Sequence, residues 1–256
     1  MNHVVTTEIS SKTVCGGAGR VYGVAASRDN LVWLLECVVS GVVAVVDGPD
    51  AAGALQKAAS LGLSLSVVLN THTHPDHIGV NKDLARRGLL TAMTVVGCAE
   101  RAADVPGITH PVSHGDKVSV GQLEGRVIRG DGHIDGHISF LFGDALFCGD
   151  TLFTGGCGRP FDGPPEKLYE SLMALAELPE ETNVFCGHEY TAPNLAFARQ
   201  VDPDNEALQA RWENVKENTG GCFVPSTIGT ERKTNPFLRA SDAAEFCALR
   251  AAKSRG

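Results

Sequence analysis

No apolar run in this 256-residue chain is long enough to cross a bilayer, which argues against a membrane-spanning protein. The start of the chain, Met1 to Glu8, lacks a basic region followed by an apolar stretch, so no secretory signal is expected. There is no C-x-x-C pair among the eight cysteines, Cys15, Cys37, Cys98, Cys148, Cys157, Cys186, Cys222 and Cys247. Most sit between apolar neighbours and read as buried free thiols. A cytoplasmic, reducing environment follows as the expectation. Basic excess is also absent: the formal net charge is -8, against nucleic-acid binding, which needs a cationic face to displace counterions. A small anionic ligand stays possible, because a local cluster of cations can hold one inside an acidic protein. No internal repeat motif is visible.

Hydrophobic residues make up 43% of the chain, enough for a sizeable core. Strands are predicted at 31–38, 42–47, 66–69, 94–96, 118–120, 124–128, 138–142, 145–148 and 184–186. The first two are expected to pair antiparallel through the turn at Gly41. Gly143-Asp144 is a two-residue hairpin signal. Helices are predicted at 51–61, 80–87, 168–178, 194–200, 205–218 and 242–253, with the stretches around Pro225 and Pro236 as connectors. Strand-rich halves followed by a helical tail predict an α/β sandwich plus a small all-α domain, divided as 1–190 and 191–256.

Six of the nine histidines fall in three short segments. Thr71-His72-Thr73-His74-Pro75-Asp76-His77 follows a buried strand. Extended spacing puts His72 and His74 on one side, while Asp76 and His77 turn away towards a helix and can address a second point. His133, in Gly132-His133-Ile134-Asp135-Gly136-His137, Asp150, in Cys148-Gly149-Asp150-Thr151, and His188, in Cys186-Gly187-His188-Glu189-Tyr190, each lie at or just beyond a strand beside glycine. Imidazole and carboxylate donors suit Zn²⁺, Fe and Mn²⁺, so two divalent metal ions are expected, zinc first. His3, His110 and His114 stand alone and read as ordinary core or surface histidines. Asp47 reads equally as a turn residue ending a strand or as a partner to a ligand.

In this order, these segments resemble the H-x-H-x-D-H…H…D…H pattern of the metallo-β-lactamase superfamily, over essentially the whole chain. That implies an αββα sandwich but leaves the substrate open. Gly149-Asp150-Thr151-Leu152-Phe153, Gly156-Cys157-Gly158-Arg159, Cys186-Gly187-His188-Glu189-Tyr190-Thr191 and Asn235-Pro236-Phe237-Leu238-Arg239 are similar to glyoxalase II, the hydroxyacylglutathione hydrolases. The resemblance implies that His72, His74 and His133 hold one metal, Asp76, His77 and His188 the other, and that Asp150 bridges both. Asp150 and Asp76 become the catalytic carboxylates, Asp76 as a ligand before anything else. Hydroxide generated at the metals then cleaves S-2-hydroxyacylglutathione, S-D-lactoylglutathione foremost, to D-lactate and glutathione, the second step of methylglyoxal detoxification. Substrate contacts are implied for Arg159, Phe161, Tyr190, Arg250 and Lys253.

Arg250 and Lys253 also read as a solvated basic face at a helix C-terminus. Phe161 stands where many members carry Tyr, which removes one hydroxyl. A monomer is expected, with no nucleic-acid or membrane partner. The competing readings are a glutathione persulfide dioxygenase with one iron, another hydrolase of the same fold, and a metal-binding module without catalysis.

Overall fold

The computed structural model describes residues 4–255; His3 lies outside them. Two mixed sheets face each other, with helices on the outside. In chain order the strands are β1 (Lys12–Val14), β2 (Gly19–Ala26), β3 (Asn30–Cys37), β4 (Val43–Val46), β5 (Leu65–Leu69), β6 (Thr94–Cys98), β7 (His110–Val112), β8 (Lys117–Val120), β9 (Leu123–Arg129), β10 (Ile138–Phe142), β11 (Ala145–Gly149), β12 (Leu152–Phe153), β13 (Gly156–Cys157), β14 (Asn183–Cys186) and β15 (Ser226–Thr227). The helices are α1 (Ala52–Ser60), α2 (Pro75–Arg86), α3 (Glu166–Ala176), α4 (Thr191–Val201), α5 (Glu206–Glu217), α6 (Ile228–Thr234), α7 (Pro236–Arg239) and α8 (Ala243–Arg255).

The first sheet runs β1 to β7 in order, and the second runs β15-β14-β11-β10-β9-β8, while β12 and β13 form a separate hairpin. β3 and β4 pair antiparallel, with Trp33 opposite Val46, as the Gly41 turn predicts. From β4 to β7 the pairs are parallel; α1 and α2 supply the first two crossovers and a 3-10 turn at Ala99–Asp104 the third. The Gly143-Asp144 turn also holds: Phe142 pairs with Ala145 and Gly143 takes φ +56°.

β3 explains the layering. Leu31, Trp33 and Leu35 face the core between the sheets. Val32 and Leu34 face the other way, into a second cluster with Ala54 and Ala58 of α1 and Leu84 of α2. This is the period of two expected of a strand covered on both sides. Each such side chain stabilises by about 1.5–3 kcal/mol relative to exposure. The central core continues to Leu168, Leu172 and Leu175 of α3.

Three differences from the sequence reading have physical causes. The second helix starts at Pro75, five positions before the predicted Val80. Proline at the first helical position loses nothing, since its missing N–H would be unpaired there anyway. Pro236 likewise opens α7, with Asn235 accepting from the Phe237 N–H, and α6 precedes it, where the sequence suggested only connectors. β2 was not predicted because its sequence, GRVYGVAA, is rich in glycine and alanine. Gly23 is needed there, since a Cβ would meet Trp33 at 2.8 Å and Ile9 at 2.6 Å.

The tail contributes helices and also β15, which pairs antiparallel with β14. Asn205 caps α5 by accepting from the Leu208 N–H. All eight cysteines are free, but Cys15, Cys222 and Cys247 are only half-buried. His110 and His114 are exposed. Among the described residues no helix is long and apolar enough to cross a membrane.

Candidate metal centre

Every member of the predicted donor set reaches one region at the ends of the strands. β5 delivers Asn70, Thr71 and His72. The loop is fixed by Asn70 and Asn81, whose amides donate to each other's oxygens at 3.0 and 2.8 Å. Asp76 and His77 occupy the first turn of α2. Asp150 follows β11, and His188 follows β14. The turn between β9 and β10 carries His133. His188 is held against the first sheet by an isolated bridge to Asn30, with the Leu31 N–H donating to the Gly187 carbonyl at 2.8 Å.

Four of the five rings are oriented by a bond at Nδ1, while His74 turns its own Nδ1 inward. His72 donates to Thr71 Oγ1 at 3.0 Å, because that hydroxyl gives its own proton to Asp47 at 2.6 Å. His77 donates to Asp47 at 3.0 Å. His133 donates to the Arg159 carbonyl at 2.8 Å. His188 donates to Asp29 at 2.9 Å. The proton on Nδ1 leaves Nε2 as a lone pair directed inwards.

The lone pairs converge on two points. His72 Nε2 and His133 Nε2 lie 3.1 and 3.0 Å from His74 Nδ1. His188 Nε2 and His77 Nε2 lie 3.3 and 3.7 Å from Asp76 Oδ2. Asp150 sits between the two sets, with Oδ1 3.4 Å from His77 and Oδ2 3.5 Å from His133 and 3.4 Å from His188.

Cations fit this arrangement. Facing nitrogen lone pairs repel unless something positive lies between them. His77 Nε2 and Asp150 Oδ1 are buried without a hydrogen-bond partner, among the few such atoms of the described residues, and an unpaired buried polar atom is costly. Both sets keep their donor atoms within 4.8 Å of one another. Asp47, His72 and His77 satisfy the same distance. However, both Asp47 oxygens are already used, by Thr71 and His77. Asp47 therefore orients ligands, and with φ +53° it is a turn residue as well.

Electrostatics divide the rings along the same line. Burial, helped by neighbouring imidazoles, pushes His72 well below the ordinary range, and burial also lowers His74 and His133. Burial works against charge on His77 and His188 too. There Asp150 outweighs it, with Asp47 beside the first and Asp29 and Asp76 beside the second, so both are raised. Burial would raise Asp76 and Asp150, but the imidazoles around them prevail and both are lowered. The carboxylates thus stay ionised and draw positive charge.

Beyond Asn70, Thr71 and Asn81, three more supporting residues carry no role from the sequence. Asp29 orients His188, and Asn30 donates to Asp76 at 3.0 Å. Buried His137 stacks on His72 with centroids 4.7 Å apart and accepts the Asp150 N–H at 3.1 Å. His137 was visible in the Gly-rich histidine segment, whereas Asp29 and Asn30 carry no motif.

The expected substrate contacts spread outward from the donors. Exposed Phe161 stands edge-on to His74 and His133, with centroids at 5.5 and 5.2 Å. The Arg159 guanidinium lies 5.5 Å from the Phe161 ring centre. Tyr190 stacks on His188 at 4.8 Å, and burial raises its hydroxyl to about 12. Arg250 is buried, and its guanidinium donates to the Cys157 and Gly158 carbonyls at 3.3 and 3.4 Å. Lys253 donates to Asn194 and packs 5.7 Å from the centres of Phe197 and Phe237. A solvated basic face is therefore not what these two form.

Comparison with known proteins agrees with this geometry. Residues 28–97 and 99–188 match the metallo-beta-lactamase superfamily, and residues 189–255 match the hydroxyacylglutathione hydrolase C-terminus. The hydroxyacylglutathione hydrolase of Rhodospirillum rubrum is 45% identical over 88% of this chain and 88% of its own length. That of a Synechococcus strain is 46% identical over 86% and 88%. Among solved structures, ETHE1 from Myxococcus xanthus superposes with a TM-score of 0.69 at 29% identity, covering 90% of this chain and 89% of its own. With a relative of that identity and coverage, and the fold and donor set in place, the chain belongs to the hydroxyacylglutathione hydrolase family of the metallo-beta-lactamase superfamily.

Proposed function

We propose that this chain is a metal-dependent thioester hydrolase that cleaves S-2-hydroxyacylglutathione, with S-D-lactoylglutathione as principal substrate, to the 2-hydroxy acid and glutathione. The observation that carries the reading is the pair of converging donor sets with Asp150 between them. His72, His74 and His133 would hold one divalent ion, Asp76, His77 and His188 the other, and Asp150 both. Zinc is the first choice for such nitrogen and oxygen donors, with iron or manganese as alternatives. Ions bound there would act as Lewis acids and bring the pKa of water from about 15.7 towards 7.

The chain's own residues do the rest. Asp47, Asp29 and the Arg159 carbonyl hold the imidazole tautomers. Asp76 and Asp150 remain ionised and serve as ligands. A carboxylate neutralised by a cation is a poor proton acceptor, so neither is assigned as a free general base. The departing thiolate needs no strong acid, since a thiol has a pKa of about 8.5. Phe161 walls the mouth of the site. Arg159, Tyr190, Arg250 and Lys253 are assigned to the carboxylates and backbone of glutathione, with charge-assisted bonds as the physical basis. We place the division between catalytic and substrate-binding parts at 190/191, which the match beginning at residue 189 supports. Eight free thiols support a reducing, cytoplasmic setting. The enzyme is read as a monomer and methylglyoxal detoxification as its process.

The test is hydrolysis of S-D-lactoylglutathione by purified protein, with metal content measured on the same sample. Rapid cleavage with about two metals per chain is expected. Two metals without cleavage would redirect attention to Phe161 and another ester. A single iron, with oxygen consumed in the presence of glutathione persulfide, would replace the reading with a dioxygenase.

A further inference from the structure

Glu231 is a carboxylate with 0% exposure, far from the donor sets in sequence. Its Oε1 accepts from Arg211 at 2.6 Å and from the Ser226 hydroxyl. Its Oε2 accepts from the Gly155 N–H at 2.8 Å and from the Asn235 amide at 3.0 Å. That same amide donates to the Gly156 and Phe153 carbonyls at 2.9 and 3.3 Å. Asn194 donates to the Thr154 carbonyl at 3.0 Å. Together with Arg250 on Cys157 and Gly158, the tail grips the backbone of every residue from Phe153 to Gly158.

That hairpin leads directly into the metal centre. The Gly158 N–H donates to the Thr151 carbonyl at 3.2 Å. The contact is tight, since a Cβ on Gly158 would meet the Asp150 carbonyl oxygen at 2.1 Å. The next carbonyl, of Arg159, fixes the tautomer and direction of His133. A shift of the hairpin therefore reaches His133 through one peptide group.

We infer that Glu231, with Asn235, is a positioning residue for the metal centre, acting through the β12–β13 hairpin and the Arg159 carbonyl on His133. The inference rests on the dinuclear reading above. The hydrogen-bonded route runs to one set only, and the hairpin meets the other set just through the Phe153 ring, edge-on with its centre 6.0 Å from the His188 ring centre. His133 belongs to one donor set, whereas Asp76, His77 and His188 take their orientation from Asn30, Asp47 and Asp29.

Glu231→Gln keeps the shape but leaves one accepting oxygen where there were two, so either Arg211 and Ser226 or Gly155 and Asn235 lose their acceptor. The experiment titrates zinc into metal-free wild type, Glu231→Gln and Leu34→Ala, a variant of the separate core beneath α1 that lowers stability. In Glu231→Gln one binding step is expected to weaken about tenfold, the low end for loss of a ligand's supporting partner, with the other step affected much less. Leu34→Ala should not separate the two steps. In a His133→Asn background, Glu231→Gln should add no further loss, because coupled residues are not additive. Should Glu231→Gln fail to fold, Asn235→Ala, which leaves the Arg211–Glu231 pair, is read in the same way. Unchanged steps, equal weakening of both, or full additivity with His133→Asn would overturn the inference. Fewer than two zinc ions in wild type would instead remove the dinuclear reading on which it stands.

Discussion

At the scale of single residues, position between charges decides function. Asp150 touches both donor sets, so Asp150→Ala is expected to abolish thioester turnover and to reduce loading to about one metal or fewer. Full activity with two metals would end the bridging assignment. Lys253 gives a different signal. Burial, with Arg250 nearby, lowers its ammonium from 10.5 to about 8. Between these values the unfolded chain binds more protons than the folded one, so stability should rise with pH from about 8 towards 10.5. Below about 8 both states carry the proton and the penalty is constant. Lys253→Met should therefore be more stable than wild type at pH 7 and should lose the rise in Tm between pH 8 and 10. Its KM for the glutathione thioester should increase about tenfold, the worth of a charged hydrogen bond. An unchanged slope of Tm with pH would mean that Lys253 is solvated. At this scale the donors were legible because His72 to His77 form a dense polar run with no packing purpose. Asp29 and Asn30 were not, since their meaning arises only when β3 meets the end of β14.

At the scale of elements, α2 sets the position of two ligands. Its first turn docks on the loop after β4: the Gly48 N–H donates to the His77 carbonyl, and the Val80 N–H to the Gly48 carbonyl, at 3.0 and 2.8 Å. Gly79 permits this approach, as a Cβ there would meet the Pro49 carbonyl oxygen at 2.1 Å. Helix propensity alone favours Gly79→Ala by about 1 kcal/mol. The clash is larger, since overpacking costs about 1–3 kcal/mol or more, and it falls on backbone. A net loss of stability in denaturant unfolding is expected, with weaker metal binding. A stabilised variant would show that the loop yields freely. Strands with a clear alternation, such as β3, were legible. β2 was obscured by its glycines, and α2 and α7 by prolines that open helices while looking like breaks.

For the whole molecule, the donor cluster is a source of stability only when filled. Removing the metals leaves lone pairs and carboxylates facing one another in a largely buried site, open at His74 and Asp76. A ligand present at about 100 times its Kd contributes about 2.7 kcal/mol, or roughly 5–10 °C in Tm for a chain of this size. EDTA should lower Tm by at least that much, and zinc should restore it. An unmoved Tm would count against binding at this site. The sandwich and its tail could be read from the order of strands and helices. The attachment of the tail could not, because β15 and Glu231 reach partners in distant segments, Asn183 and Val184 for the first and the Gly155 N–H for the second.

The bridge between Asn30 and His188 joins the first part of the catalytic half to its last. It has a consequence for biosynthesis. During translation the donors around His72 leave the ribosome long before His188, and the Glu231 anchor of the hairpin comes later still. A nascent chain can form local helices and the early hairpins quickly, but contacts this far apart in sequence form slowly. The donor set is therefore complete only when His188, 116 positions after His72, has been made and has docked beside Asn30, so that capture of metal becomes a report of successful folding.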